Sequence, residues 1–473
     1  MFLKKRPDKP RKEEIHAKFL EARNFVDLGE FDKAFFLLSE VYNFIHELGE
    51  TTELEVDALA EIGKLHWRKG AFSEAKKYLD EAIEKGTTLK YDQGIAYALN
   101  YRGNLEGDWI NPKNAKKYYL EALEIQKRLN DVEGISTTFN NLGVLHEEVG
   151  EFSIAINYYN KSINLMRGIE SKRALSGIAM SLNNIADIYT RLGQLEKAEP
   201  LHLEAQELCI KAGVLHNEAA CVLSLGTLAW AKGKLHSAKV ALEESLFKYQ
   251  RLGINNRHYI KNLARLAGVH ADLKEYGEAE KLLDIAHNAA TALQSDFAWL
   301  YVHYHRGYLE LVRGDTASAK KSLETCLSSA KKQKNFEFTL KCLIDLSNIS
   351  LMYYRLTLEE LFLEQTQSLI QELLNSAEDK NMPLVQAEAG IIQGMLLSAE
   401  MDYVAALEIL ARVIVLCQEK KLPKQGTRAR VQIDKISRLK DRASRLIRPL
   451  DQNEQIEEIR DYLARYSRLL KGL

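Results

Sequence analysis

The residue types that most often carry out chemistry in proteins form no catalytic pattern in this sequence. The nearest approach is His146-Glu147-Glu148, which begins like the HExxH zinc helix of metalloproteases, but Gly150 occupies the position of the second histidine. The GxxxxGK[ST] and GxSxG motifs of nucleotide-binding proteins and hydrolases are absent. His303 and His305 are two residues apart on a predicted helix, so they face in different directions and do not form a metal site. We therefore expect a protein that is not an enzyme and holds no metal or cofactor.

Composition predicts a soluble cytoplasmic protein. The net charge is −1, so no global field attracts nucleic acid or a membrane surface. Five cysteines, an odd number without CxxC spacing, are typical of a reducing compartment. The first twelve residues contain only three apolar ones before a basic stretch, and no apolar run is long enough for a signal peptide or a membrane span.

The elements are revealed by a small residue that recurs about every forty positions. Alanine follows it after twelve positions, and another small residue often follows after seven more. The leading residues step by 41, 40, 40, 43, 40, 41 and 40 positions and are Ala22, Gly63, Gly103, Gly143, Ala186, Gly226, Ala267 and Gly307. Gly394 leads a last copy, whereas Ser347 is followed by Glu359, so the ninth copy is degenerate at about residues 340–380. The sequence thus contains about ten repeats.

Each repeat reads as two antiparallel helices. Phe139, Leu142 and Leu145 recur at helical intervals, Gly150 interrupts them, and a second helix begins near Phe152. Small residues at the three recurring positions let the helix axes approach to about 8 Å, and stacked pairs bury what one pair leaves exposed. We expect local departures at Gly107, which should shorten its helix, and at Thr357, which should form a capping box with Glu360.

Three segments carry a family resemblance: Leu182 to Pro200 (LNNIADIYTRLGQLEKAEP), Phe139 to Tyr159 and Ile62 to Ala82. They resemble tetratricopeptide repeats (TPRs), in particular the long repeats of kinesin light chain and of spindle-orientation adaptors, over about residues 13–420. The resemblance implies an all-α, right-handed superhelical solenoid of about ten helix pairs, to which we add a C-terminal helical hairpin as a cap. It also implies that the first helix of each pair lines a concave, partner-binding groove.

By the family pattern, residues three and two before, and one after, each leading small residue point into this groove. Asparagines recur there in three successive repeats, and an amide can both donate to and accept from a peptide backbone. The predicted groove residues are Asn100, Tyr101, Asn104, Asn140, Asn141, Asn183, Asn184, Asp187, Arg265, His305 and Tyr308.

Basic segments flank the repeats. Residues 1–12 are predicted to be a basic flexible tail, residues 13–423 the solenoid, and residues 424–473 basic amphipathic helices. The second of these helices is predicted from the apolar spacing of residues 456–470. This terminal element is expected to cap the last repeat, to bind a partner, or both. Its basic patch consists of Arg428, Arg430, Lys435, Arg438, Arg442 and Arg445.

The leading hypothesis is a protein-interaction scaffold that holds an extended peptide or a partner helix in the groove. One alternative is a peptide-sensing regulatory receptor like the bacterial repeat receptors. Those usually carry an N-terminal effector module, whereas a repeat-like pair begins here by about residue 13. A second alternative is binding of nucleic acid or an acidic partner through the basic C-terminal helix.

Overall fold

A computed structural model describes residues 12–48, 51–109, 112–380 and 382–447. This part of the chain forms 21 α helices and no strand. The helices are α1 Lys12–Leu28, α2 Phe31–Leu48, α3 Glu53–Lys69, α4 Phe72–Leu89, α5 Asp92–Trp109, α6 Pro112–Leu129, α7 Val132–Glu148, α8 Phe152–Met166, α9 Lys172–Arg191, α10 Leu195–Ala212, α11 Leu215–Ala231, α12 Leu235–Arg251, α13 Arg257–Asp272, α14 Tyr276–Leu293, α15 Asp296–Arg313, α16 Thr316–Gln333, α17 Phe336–Thr357, α18 Glu360–Asp379, α19 Pro383–Ala399, α20 Tyr403–Glu419 and α21 Pro423–Ile447.

The recurring small residues lie where the two helices of a pair meet, as predicted. Ala155 and Ala198 are fully buried at the second of the three positions. A methyl group added at Gly143 would lie 2.5 Å from the ring of Tyr159, so the facing helix leaves no room for a side chain. The recurring small residues therefore lie where paired helices approach each other most closely. The prediction of a helical repeat solenoid is confirmed.

Glycine also ends several first helices. Gly70 has a φ of 79° after α3, and its N–H donates to the carbonyls of His66 and Trp67. Gly150 takes a φ of 78° after α7. Only glycine adopts this left-handed conformation without strain, so these residues set the short turns between paired helices.

The chain divides into two compact units. Unit 1 comprises Met1–Arg191 and Leu195–Phe336, and unit 2 comprises Leu192–Gln194 and Glu337–Leu473. Unit 1 thus contains α1 to α16, or eight helix pairs. In unit 2, Ala429 and Ile436 of α21 are buried with Ala406 and Leu410 of α20, so α21 covers the last pair.

Unit 1 curves until distant repeats touch. Leu252 and Ile254, between α12 and α13, are buried in one cluster with Val26 and Phe31 of the first pair. Two polar contacts continue this closure. The guanidinium of Arg257 bridges Asp108 and Glu148 at 3.0 and 2.9 Å, and the Ser295 hydroxyl donates to the Asp108 carbonyl at 3.0 Å. The first helices of the repeats are therefore enclosed on the inner side of unit 1.

Two local expectations are wrong, and two others concern residues that the structure does not describe. Helix α5 continues through Gly107 to Trp109 and has the same length, 18 residues, as α4 and α6, so the expected shortening is wrong. Gly107 keeps a negative φ, so it does not act as a helix terminator. The capping box is also wrong: Thr357 ends α17 and donates to the Tyr353 carbonyl, while Glu359 caps α18 without a side-chain bond. The tail at residues 1–11 and the second half of the terminal hairpin lie outside the described residues.

Candidate functional site

The inner side of unit 1 contains two adjoining chambers. Their volumes are about 190 and 260 Å³. The first helices of six successive pairs, α1, α3, α5, α7, α9 and α11, supply most of the lining. The chambers share six lining residues: Arg23, Glu61, Tyr97, Tyr101, Thr137 and Arg173. Together they line one concave region to which several repeats contribute side chains.

Glu61 is the polar centre of this region. Its carboxylate accepts from the Tyr97 hydroxyl at 2.6 Å and pairs with Lys64 at 3.0 Å and Arg23 at 3.3 Å. Burial alone raises the pKa of Glu61, but the charges of Lys64 and Arg23 outweigh burial and lower it. The Lys64 ammonium also lies 5.3 Å from the centre of the Tyr101 ring. Glu61 therefore stays ionised and fixes these cations at the wall.

The larger cavity, which we call the basic chamber, has an excess of positive charge. Its charged lining consists of one carboxylate, Glu61, and five cations: Arg23, Lys64, Arg68, Lys172 and Arg173. Arg68 has no carboxylate partner among the described residues. One of its terminal nitrogens, Nη2, lies 3.2 Å from His216 Nε2, and the side chain covers the Phe31 ring. The other, Nη1, is buried and has no hydrogen-bond partner in the described part of the chain.

His216 adds a second unsatisfied donor to the basic chamber. A guanidinium can only donate, so His216 accepts at Nε2 and carries its proton at Nδ1. Burial, together with the charges of Arg68 and Lys64, places the pKa of His216 well below its usual value, which keeps the ring neutral. Nδ1 is buried and, like Arg68 Nη1, has no partner among the described residues. The wall therefore has two donors that no acceptor among the described residues uses.

The smaller cavity, which we call the acidic chamber, has the opposite character. Its carboxylates are Asp57, Glu61, Asp131 and Glu133, against the cations Arg23 and Arg173. The Tyr91 hydroxyl donates to Asp57 at 3.2 Å, and burial raises the pKa of Asp57 to about 6. Glu133 pairs with Arg173 at 3.1 Å. Charge thus changes sign across the two chambers.

Three of the predicted groove residues, Asn100, Tyr101 and Asn140, line these chambers. The asparagines of successive repeats are also bonded to one another. Asn141 donates to Asn100 Oδ1 at 2.8 Å, and Asn184 donates to Asn140 Oδ1 at 3.1 Å. The polar ladder therefore ties neighbouring repeats together and leaves only part of each amide for a ligand.

The other predicted groove residues lie in networks away from the chambers. The Tyr119 hydroxyl donates to Asn104 at 2.7 Å, and the Tyr308 hydroxyl donates to Asp272 at 2.6 Å. The remaining contacts are those of Asn183 with Ser224 and His202, of Asp187 with Ser224, of Arg265 with Thr227 and of His305 with the Tyr301 carbonyl. These groups connect repeats or pack within them, and the structure does not bring them into the chambers.

The wall residues Arg68, Arg173 and His216 were not predicted. Arg173 and His216 lie near the starts of α9 and α11, ahead of the positions chosen from the family pattern. Extending the polar stripe by two or three turns of 3.6 residues toward the start of each helix would have included both. Arg68 meets His216 across 148 positions, a contact that no local spacing encodes.

The basic patch of α21 divides into paired and exposed members. Arg428 is bound to the buried carboxylate of Glu388 at 2.6 Å, so its charge serves the packing of unit 2. Arg430, Lys435, Arg438 and Arg442 are exposed, while the side chain of Arg445 lies outside what the structure describes. The exposed members form one basic helix face opposite the buried Ala429 and Ile436.

The described residues contain neither a cluster of metal-ligating side chains nor a helix that could span a membrane. Among them, no three His, Cys, Asp or Glu side chains are grouped so as to hold a metal ion. His146 and His66 stack on Tyr158 and Tyr78, as expected for packing residues. Within the same ranges, each helix is too short or too polar to cross a lipid bilayer.

Comparison with known proteins agrees with this architecture. A model described as the MalT-like TPR region matches residues 102–421, more than half of the chain, and a tetratricopeptide repeat model matches residues 56–84. No curated protein matches the chain.

Solved structures with the same fold include a Rap protein complexed with Competence and Sporulation Factor. It is 15% identical, with a TM-score of 0.56 over 77% of this chain and 100% of that one. The Rap conjugation gene regulator of plasmid pLS20, in complex with the Phr* peptide, is 14% identical, with a TM-score of 0.50 over 77% and 97%. At these identities the likeness shows the fold alone. The match of the MalT-like TPR region to residues 102–421 makes this chain a member of the MalT-like TPR family.

Proposed function

We propose that this chain is a non-enzymatic scaffold in the cytoplasm whose unit 1 binds an extended peptide or a partner helix on its concave side. The observation that carries the proposal is the enclosure of six first helices around one polar, partly unsatisfied surface. A surface of this kind gives a ligand contacts to several repeats, and it contains no arrangement of side chains that suggests catalysis.

The asparagine ladder supports a role in holding peptide backbone. Asn140 uses its Oδ1 twice, accepting from Ser181 and Asn184, and its Nδ2 makes no bond to described residues. Asn141 and Asn184 donate through Nδ2, and their Oδ1 atoms accept from none of the described residues. The ladder thus keeps donors and acceptors at repeat spacing for the N–H and C=O groups of a bound chain.

A peptide-sensing receptor is the more specific form of the same proposal. The closure of unit 1 favours it, because a short ligand would contact repeats that are distant in sequence. Both solved structures are complexes, one with Competence and Sporulation Factor and one with the Phr* peptide. A signalling peptide is therefore a reasonable ligand to test first.

The test begins with a pooled library of hexapeptides with free termini. Peptides retained by the full chain are separated by gel filtration, identified by mass spectrometry, synthesised and measured by calorimetry. Asn184→Ala is the best variant, because Asn140 Oδ1 keeps its bond from Ser181 and stability should change little. We expect about a three- to tenfold weaker affinity, as for loss of one hydrogen bond.

Asn160 provides the matched control. It is exposed on α8, the second helix of its pair, and takes no part in the asparagine ladder, so Asn160→Ala should bind like the wild type. Asn141→Ala is less suitable, since it would leave the buried Asn100 Oδ1 without its donor. If the chain retains no peptide, concave binding is wrong. It is also wrong if Asn184→Ala and the control Asn160→Ala lose the same affinity for the peptide.

The exposed basic face of α21 supports a second candidate function, binding of nucleic acid or an acidic partner. Replacing Lys435, Arg438 and Arg442 by glutamine removes three exposed charges and leaves the buried face of α21 intact. If α21 binds RNA, a gel shift at low salt should weaken with each lost cation. Equal shifts for the wild type and the triple variant would eliminate this candidate.

A further inference from the structure

The two chambers of unit 1 form a dipolar site. The basic chamber has five cations against one carboxylate, whereas the acidic chamber has four carboxylates against two cations. The net charge of the whole chain is only −1, so this separation is local and does not reflect composition. The chambers share Glu61, Tyr97 and Tyr101, so they lie side by side.

We infer that the concave side of unit 1 takes a short peptide in one orientation, with a carboxylate in the basic chamber and a cationic group in the acidic chamber. This inference rests on the proposed function and adds the chemistry of the ligand. The carboxylate is either the C-terminal group or an Asp or Glu side chain, and the cation is either the terminal ammonium or a Lys or Arg side chain.

The basic chamber is suited to a carboxylate because of its unused donors. Arg68 Nη1 and His216 Nδ1 are both buried without an acceptor among the described residues. A buried donor without a partner is unfavourable, and a bound carboxylate relieves two such donors at once. Arg68 and His216 both line the basic chamber, and no ion pair with a described residue already occupies the guanidinium.

Lys172 and Lys64 strengthen this preference for an anion. Lys172 is exposed at the first position of α9 and forms no ion pair with a described residue. Lys64 is held by Glu61 and Tyr97, so one carboxylate already uses part of its charge. An anion that enters the chamber therefore meets at least two cations, Arg68 and Lys172, whose charges are uncompensated.

The acidic chamber offers the complementary end. Asp57 accepts only from the Tyr91 hydroxyl among described residues, and no cation pairs with it directly. The charges that act on its pKa are those of Arg23, which lowers it, and of Glu61 and Glu53, which raise it. An ammonium or guanidinium group that reaches Asp57 gains a direct ion pair in a partly buried position.

The experiment uses the full chain and hexapeptides recovered from the free-termini library. Each recovered peptide is remade in three forms: a C-terminal amide, a form with Asp and Glu replaced by Asn and Gln, and a form with an acetylated N-terminus. We expect a loss of about tenfold or more when the critical carboxylate is removed. The amide and the side-chain forms distinguish the two sources of that carboxylate.

Variants assign the carboxylate to its chamber. Arg68→Gln should weaken the carboxylate peptide by about ten- to hundredfold but should leave the affinity of the carboxylate-free form unchanged. Lys172→Gln, at an exposed position, should act in the same direction and serves if Arg68→Gln does not fold. Lys281→Gln is the matched control, since this lysine lies on α14 with its side chain 71% exposed and contacts neither chamber.

The outcomes separate the two levels of the proposal. If no library peptide binds the wild type, the proposed function itself is wrong. If peptides bind but removal of their carboxylates and Arg68→Gln each change affinity less than twofold, the scaffold remains and the dipolar inference is overturned. Equal losses for the free-acid and carboxylate-free forms in Arg68→Gln would also overturn it, because the arginine would then act only on structure.

Discussion

Replacing Arg257 with methionine should open the closure of unit 1. The arginine is the first residue of α13 and bridges Asp108 of α5 and Glu148 of α7 at 3.0 and 2.9 Å. Burial raises the pKa of both carboxyls even with the arginine present, so its removal leaves two poorly solvated charges facing each other. Methionine keeps much of the buried volume and removes only the charge and the donors.

The expected cost is about 3–5 kcal/mol of unfolding free energy at pH 7, the range for breaking a buried pair by removing one partner. Side-chain exposures of 9% for Asp108 and 18% for Glu148 place the value nearer the lower end. The deficit should shrink as pH falls from 7 to 4. In the variant the native state then binds protons on these carboxyls that the unfolded state binds only at lower pH.

Urea unfolding followed by circular dichroism at pH 7, 5.5 and 4 measures this effect. Arg306→Met is the control, because Arg306 pairs with Asp284 at 2.8 Å in an exposed position and should cost less than about 1 kcal/mol. Adding Asp108→Asn and Glu148→Gln to the Arg257 variant should recover part of the loss. If Arg257→Met loses no more unfolding free energy than the control, or loses the same amount at each pH, the buried ion pairs of Arg257 do not hold unit 1 closed.

Three further predictions follow from local geometry. Asp57→Asn should raise stability at pH 7 by about 1–3 kcal/mol. The native carboxyl, with its pKa raised to about 6, keeps a proton between pH 4 and 6 that the unfolded chain releases, so wild-type stability falls as pH rises through this window. Denaturant titrations in which both proteins lose stability equally from pH 4 to 7 would contradict this. Gly143→Ala should lower the unfolding free energy by about 1–3 kcal/mol through overpacking, whereas Gly107→Ala, with ordinary contacts only, should leave it unchanged or raise it by up to about 1 kcal/mol. Similar melting temperatures for the two would argue against tight nesting of the pairs. Arg428→Gln should destabilise unit 2 by about 1–3 kcal/mol, because it weakens the pairing of a buried carboxylate, and Arg438→Gln on the exposed face should change stability by less than about 0.5 kcal/mol. Thermal melts in which Arg438→Gln lowers stability more than Arg428→Gln would contradict this packing role of Arg428.

The helix pairs were predictable because their cause is local. A position where two helices nearly touch admits only a small side chain, so Gly143 and Ala155 appear at fixed spacing whatever their neighbours are. The prediction that Gly107 shortens its helix was wrong, since a glycine within a helix need not end that helix when it is packed on both sides. The residue type alone did not indicate which contacts surround Gly107.

The closure of unit 1 and the charged chambers depend on contacts between distant repeats. Arg257 meets Glu148 across 109 positions, and Arg68 meets His216 across 148. The repeat period fixes each step of the solenoid only approximately, and small errors in rotation accumulate over three or four repeats. Spacing could therefore predict a concave wall and several of its residues, such as Asn100 and Asn140, but not which cations would converge on it.

The most direct test of the central claim is site-specific photo-crosslinking of a recovered hexapeptide. The photoreactive amino acid p-benzoylphenylalanine replaces either Tyr101, which lines both chambers, or Phe247, which is 64% exposed on α12. Mass spectrometry then counts the covalent adducts of each folded protein. Adducts at position 101 and none at position 247 are expected if peptides bind the concave side of unit 1. A peptide that binds in solution yet crosslinks only at position 247 would contradict the concave site.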